Sequence, residues 1–133
     1  MSGSVTHFIL YVADQARSRQ LYAALLGIPP RLDVPGMTEF VLPGGAVLGL
    51  MPEAGIQRLL PALHVGPSEG ARAELYLVVP DADGMVLRAQ QAGAELLSAM
   101  APRSWGAAVA YLRDPDGHVV AVARRASQPH RTS

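Results

Sequence analysis

A chain of 133 residues and 14.0 kDa is long enough to bury one apolar core and too short to need two. Half its residues are hydrophobic and 17% are charged, which excludes intrinsic disorder. Eleven basic residues balance eleven acidic ones, which removes the global field that would draw the protein to nucleic acid or to an anionic membrane.

Cysteine is absent, so disulfides, thiol nucleophiles and thiolate metal sites are excluded together. Ser2, Gly3 and Ser4 lead directly into a strand-like segment with no basic and apolar signal region, and no apolar run reaches the roughly 20 residues of a membrane span. A soluble cytoplasmic protein is expected.

In chain order, the first element is the apolar strand His7 to Ala13, ending at Asp14. Ser18, Leu21, Tyr22 and Leu25 then recur at helical spacing, with Asp14 placed as N-cap and Gly27 where a helix end favours a left-handed residue. A weakly marked strand over 30–33 follows. Next, Phe40 to Leu42 and Val47 to Leu50 flank the Pro43-Gly44-Gly45 turn as a hairpin. The stretch 53–71 reads as a linker with one helical turn, carrying Ile56, Leu59, Leu60 and His64.

The same order then returns. Glu74 to Pro80, ending at Asp81, matches the first strand at an offset of 67. Asp81 caps a helix striped by Met85, Val86, Ala89 and Ala92 and ended by Gly93. A weak strand over 95–100 precedes Tyr111 to Val122, a hairpin around Asp114-Pro115-Asp116-Gly117 that matches the earlier one at an offset of 72. The chain is a tandem repeat, with module one over about 5–52, module two over about 72–124 and a short basic tail over 125–133 that includes His130 and Arg131. The fold class expected is α+β, two βαβββ modules forming curved mixed sheets around a cleft.

The opening HFILYVAD with RSRQLYAALLG and the closing YLRDPDGHVVAV resemble the glyoxalase/bleomycin-resistance/dioxygenase superfamily, also called the vicinal oxygen chelate fold, from about Thr6 to Arg124. The resemblance implies sheets cupped around a ligand and a homodimer. It leaves the activity open, because the superfamily contains lyases, isomerases, dioxygenases and proteins that sequester antibiotics.

In the enzyme members, one side chain on the first and one on the last strand of each module meet a divalent ion. Those four positions here are His7, Gly49, Glu74 and Ala121. A catalytic ion needs about three protein ligands and an open position, and glycine and alanine donate nothing. No metal cofactor is therefore expected; the alternative is one divalent ion held by His7 and Glu74. A second use for those two is a pair with each other, either structural or acid/base. Gly49 and Ala121 would enlarge the cleft where the ion is missing, unless they serve close packing. His118, in the last turn, is expected to be solvated.

Strand alternation places His7 with Tyr11, Gly49 with Val47 and Met51, and Glu74 with Tyr76 on the cup's lining. Tyr111 joins as an aromatic wall residue, and Phe40, with Met37, either lines one wall or packs in the core, the commoner fate of such residues. Trp105, the only tryptophan, and Arg103 lie in PRSWG before a strand, where they suit stacking on a planar ligand or plugging a sheet edge or dimer seam. No catalytic residue is assigned. The expected function is metal-free binding of a hydrophobic or aromatic small molecule, an aromatic or peptide-like drug or metabolite, as in resistance by sequestration. The rivals are a metal-dependent lyase, isomerase or dioxygenase using His7 and Glu74, and an accessory module with a vestigial cleft.

Overall fold

The computed structural model describes residues 4–67, 70–71 and 73–125. The basic tail beyond Arg125, with His130 and Arg131, lies outside the described residues. Module one comprises β1 (His7–Val12), α1 (Gln15–Leu26), β2 (Leu32–Val34), β3 (Met37–Val41) and β4 (Val47–Pro52). Helix α2 (Glu53–Leu59) follows, longer than the single turn expected of the linker. Module two repeats the order with β5 (Glu74–Val78), α3 (Ala82–Gln91), β6 (Glu95–Pro102), β7 (Ala107–Arg113) and β8 (Val119–Arg125).

Local chemistry sets the helix ends. The carboxylates of Asp14 and Asp81 accept the amides of Arg17 and Gly84, each satisfying a donor that the first helical turn cannot pair internally. Gly27 ends α1 at φ 72, a conformation in which a side chain would be strained.

Each module folds into one four-stranded mixed sheet, in the orders β1-β4-β3-β2 and β5-β8-β7-β6. The first and last strands of a module run parallel, β1 on β4 and β5 on β8, with the helical crossover between them. The registers make the repeat three-dimensional. Ile9, Gly49 and Glu39 form one row across module one, and Tyr76, Ala121 and Tyr111 form the equivalent row across module two, at the same offsets of 67 and 72.

A single core joins the halves. Leu21, Tyr22 and Leu25 of α1 and Met85 and Ala89 of α3 pack with Phe40, Leu48, Leu50, Leu112, Val120 and Val122 from both sheets. Helix α3 also reaches α1 directly: the Arg88 guanidinium donates to the carbonyls of Ala24 (3.0 Å) and Leu25 (3.4 Å), which the end of α1 leaves unpaired. Residues of opposite parity along the strands line the other, inner face of each sheet, away from α1 and α3. The candidate site lies on this face.

Candidate functional site

On the inner face of module one, His7 meets a carboxylate, but not that of Glu74. Its Nδ1 lies 3.6 Å from Oε2 of Glu39, whose other oxygen accepts from the Arg31 guanidinium at 2.9 Å. Glu39 stands one residue from the point where the sequence was read as a strand, and nothing local to His7 signals the contact. The pairing between β3 and β4 brings it there, setting Glu39 opposite Gly49, while β1 sets Ile9 on the other side of the same glycine. Glu74 is exposed at the start of β5, paired in register with Val119.

Gly49 does not open the cleft. A Cβ built there would lie 2.5 Å from Cδ1 of Ile9 and 3.2 Å from the sulfur of Met37, so these side chains already fill the space. The reason is lateral: a glycine between two occupied strand positions lets its neighbours lean over it. Val47 is buried and Met51 half-buried on the same strand, and Tyr11 stands half-exposed at the far end of β1. Phe40 is fully buried in the core on the helix side and does not line the inner face.

Module two carries the aromatic part. Ala121 lies between Tyr76 on β5 and Tyr111 on β7. Val109, Ala121 and Ala123 form a small fully buried apolar floor, against which Ala107 and Tyr111 pack. Trp105 donates its indole N–H to the Tyr76 hydroxyl at 2.9 Å. Arg103 is committed to the protein: it donates to the Val109 carbonyl (2.8 Å), to the Ser98 hydroxyl (3.0 Å) and to the Ala99 carbonyl (3.1 Å), and its guanidinium lies 5.2 Å from the Tyr111 ring centre. The pairing of β6 with β7 shifts register on both sides of Ser98, which leaves backbone carbonyls there for a side chain to satisfy.

Between the modules lies a crevice of about 580 Å³ lined by Ile9, Tyr11, Glu53, His64, Arg113 and His118 among others. His118 is not the solvated turn residue expected. Its Nδ1 is 3.0 Å from Oδ2 of Asp114, a fully buried carboxylate that also accepts from the Tyr22 hydroxyl (2.7 Å) and from the amides of Asp116 and His118. Hydrogen bonding to Asp114 raises the imidazole's pKa above its usual value against the opposing effect of burial. Burial alone would raise the pKa of Asp114, but the donors from His118 and Tyr22 outweigh it and hold the carboxyl below its usual range.

Asp114, Asp116 and His118 bring donor atoms within 4.8 Å of one another. Asp116, however, already accepts the amide of Ala13 and the hydroxyl of Ser18. The group is a hydrogen-bonded knot fastening the last hairpin to the start of α1.

The sequence model of the Glyoxalase/Bleomycin resistance protein/Dioxygenase superfamily matches residues 4–122. The chain belongs to this superfamily. Solved structures agree on the fold. A glyoxalase-related enzyme from Fulvimarina pelagi is similar at 22% identity and TM-score 0.78, over 93% of this chain and 89% of that one. A glyoxalase/bleomycin resistance protein/dioxygenase family enzyme from Burkholderia phytofirmans PsJN is similar at 18% identity and TM-score 0.78, over 90% and 97%. A protein from Agrobacterium tumefaciens solved by solution NMR is similar at 29% identity and TM-score 0.70, over 95% and 100%. Among curated proteins, none matches the chain significantly.

For a superfamily member, the residues at the four ion-binding positions do not fit the ion. Gly49 and Ala121 carry no donor, a side chain at 49 would collide with Ile9, and the carboxylate beside His7 is held by Arg31. Two donors from separate modules fall short of what a catalytic ion requires. Among the described residues no helix is long and apolar enough to cross a membrane.

Proposed function

We propose that the protein is a metal-free, cytoplasmic binder of a planar hydrophobic or aromatic small molecule, acting by sequestration. The observation that carries this reading is the inner face of module two: an alanine where the superfamily places an ion ligand, flanked by Tyr76 and Tyr111, with the only tryptophan hydrogen-bonded alongside. A small apolar floor between aromatic walls offers dispersion contact and stacking to a flat guest and little to a small polar metabolite.

A homodimer is part of the proposal. Among the described residues β1 and β5 each end their sheet with one edge unpaired, and they bear the exposed apolar side chains Phe8, Ile9, Tyr11, Tyr76 and Val78. An exposed strand edge lined with apolar groups favours a covering partner, and a second copy offers the same surface in return.

The test is metal analysis of the purified protein beside a thermal-shift screen of planar aromatic compounds and divalent ions. A guest at a hundred times its dissociation constant adds about 2.7 kcal/mol, an upward shift of several degrees. Divalent ions are expected to leave the melting temperature unchanged. Stoichiometric metal that is lost in His7→Ala would replace this reading with the enzyme one, and no stabilisation by any compound would favour an accessory module.

A further inference from the structure

We propose that Trp105, in the turn between β6 and β7, is a lid over the apolar floor of module two, and that its hydrogen bond to Tyr76 is the latch. The inference deepens the binding reading above by naming what gates the site.

The registers place the two partners on opposite sides of the floor. Trp105 lies in the turn just before Ala107, which pairs with Arg125, whereas Tyr76 pairs with Ala121, four residues back along β8. With β8 between β5 and β7, the two backbone positions are separated by about 13 Å along the strands and about 10 Å across them on an ideal sheet. The side chains nevertheless meet at 2.9 Å. A contact between groups so rooted has to pass over what lies between them, and Ala123 and Val109 lie between them. Both have no exposed surface, although both point away from the helices.

The base of the turn is fixed, the Arg103 amide donating to the Ala107 carbonyl at 2.8 Å, so the part free to swing is the Trp105 side chain. The Arg103 side chain also anchors that base through the Val109, Ser98 and Ala99 hydrogen bonds, and Gly106, at φ 91, supplies a conformation that a residue with a side chain would resist. Beyond that base the indole is tied down at its nitrogen by a single hydrogen bond, and more than half of the residue faces solvent. One neutral hydrogen bond corresponds to about a fivefold change in an open–closed equilibrium, enough to hold a lid shut and little enough for a guest to displace it. An opened latch would free the indole N–H as a donor, beside the Tyr76 hydroxyl, which can donate or accept. The guest it suits is therefore flat, apolar over most of its surface, and equipped with a hydrogen-bond acceptor at one edge.

Because Trp105 is the only tryptophan, its indole N–H gives a single resonance in a nitrogen-correlated NMR spectrum and its emission is unmixed. In Tyr76→Phe that resonance is expected to move and to exchange faster with water, and acrylamide quenching of the emission is expected to rise. An apolar dye such as 8-anilinonaphthalene-1-sulfonate should reach the floor several-fold faster in Tyr76→Phe and in Trp105→Phe than in the wild type. An indole resonance and quenching unmoved by Tyr76→Phe would overturn the latch. Equal dye association rates in all three forms would overturn the lid. A screen in which no aromatic compound binds any form would sink the binding reading instead, and the indole measurement, which needs no ligand, would still decide the latch.

Discussion

The hydroxyl of Tyr22, on the first helix, donates to the buried carboxylate of Asp114, on the last hairpin, at 2.7 Å. Tyr22 has no exposed surface, and its burial, followed by the charge of Asp114, pushes its pKa well above the usual value. Tyr22→Phe removes one donor from a carboxylate that water cannot reach, at constant ring volume. The expected cost is about 1.5–3 kcal/mol, read as a lower urea midpoint with an unchanged slope.

The same knot sets a pH dependence. His118 has a raised pKa in the folded protein, so it binds a proton more tightly there than in the unfolded chain. Its contribution is present in full below the unfolded value of about 6.5 and fades as pH rises through the folded value. Asp114 has a lowered pKa, so its contribution is present above the unfolded value and fades as pH falls through the folded one. Denaturation followed from pH 6 to pH 9 should show stability falling, and His118→Gln should flatten that slope. An equal slope in the variant would assign the effect elsewhere.

Packing around Gly49 gives a third expectation. Gly49→Ala puts a methyl group against Cδ1 of Ile9. Ile9→Val removes that very atom. The double variant should therefore be more stable than the sum of the single effects predicts, with a coupling of about 1 kcal/mol in a double-mutant cycle. Additive effects would mean that Ile9 turns aside freely.

Arg103 is expected to act as a brace. Arg103→Met keeps much of the stem but strips the donors from the carbonyls of Val109 and Ala99 beside an irregular stretch of β6. A loss of about 1–3 kcal/mol is expected, and Arg103→Lys should recover only part of it, because an ammonium cannot span the same acceptors.

The parts of this molecule that are local in sequence were legible there. Asp14 and Asp81 cap their helices, Gly27 ends one, and the two offsets hold in the strand registers, because each depends on a few neighbouring residues. What escaped depends on which strands become neighbours. Glu39 reaches His7 only through the pairing of β3, β4 and β1, and Phe40 turns to the core because it alternates with Glu39. Trp105 reaches Tyr76 across the intervening strand β8, which no spacing encodes. The knot at His118 did leave a trace: an aspartate followed at three and four residues by glycine and histidine is a turn in which the aspartate accepts backbone amides.

The cross-links from the last hairpin to the first helix bear on how the chain is made. Tyr22 waits for a partner 92 residues downstream, and Ala13 for one 103 residues downstream. During synthesis α1 can form and cover its own sheet, but its polar contacts with the last hairpin stay open until nearly the whole polypeptide has left the ribosome. Contacts of such long separation slow folding, so the N-terminal half is expected to remain loosely closed, and open to proteases and chaperones, until its counterpart arrives.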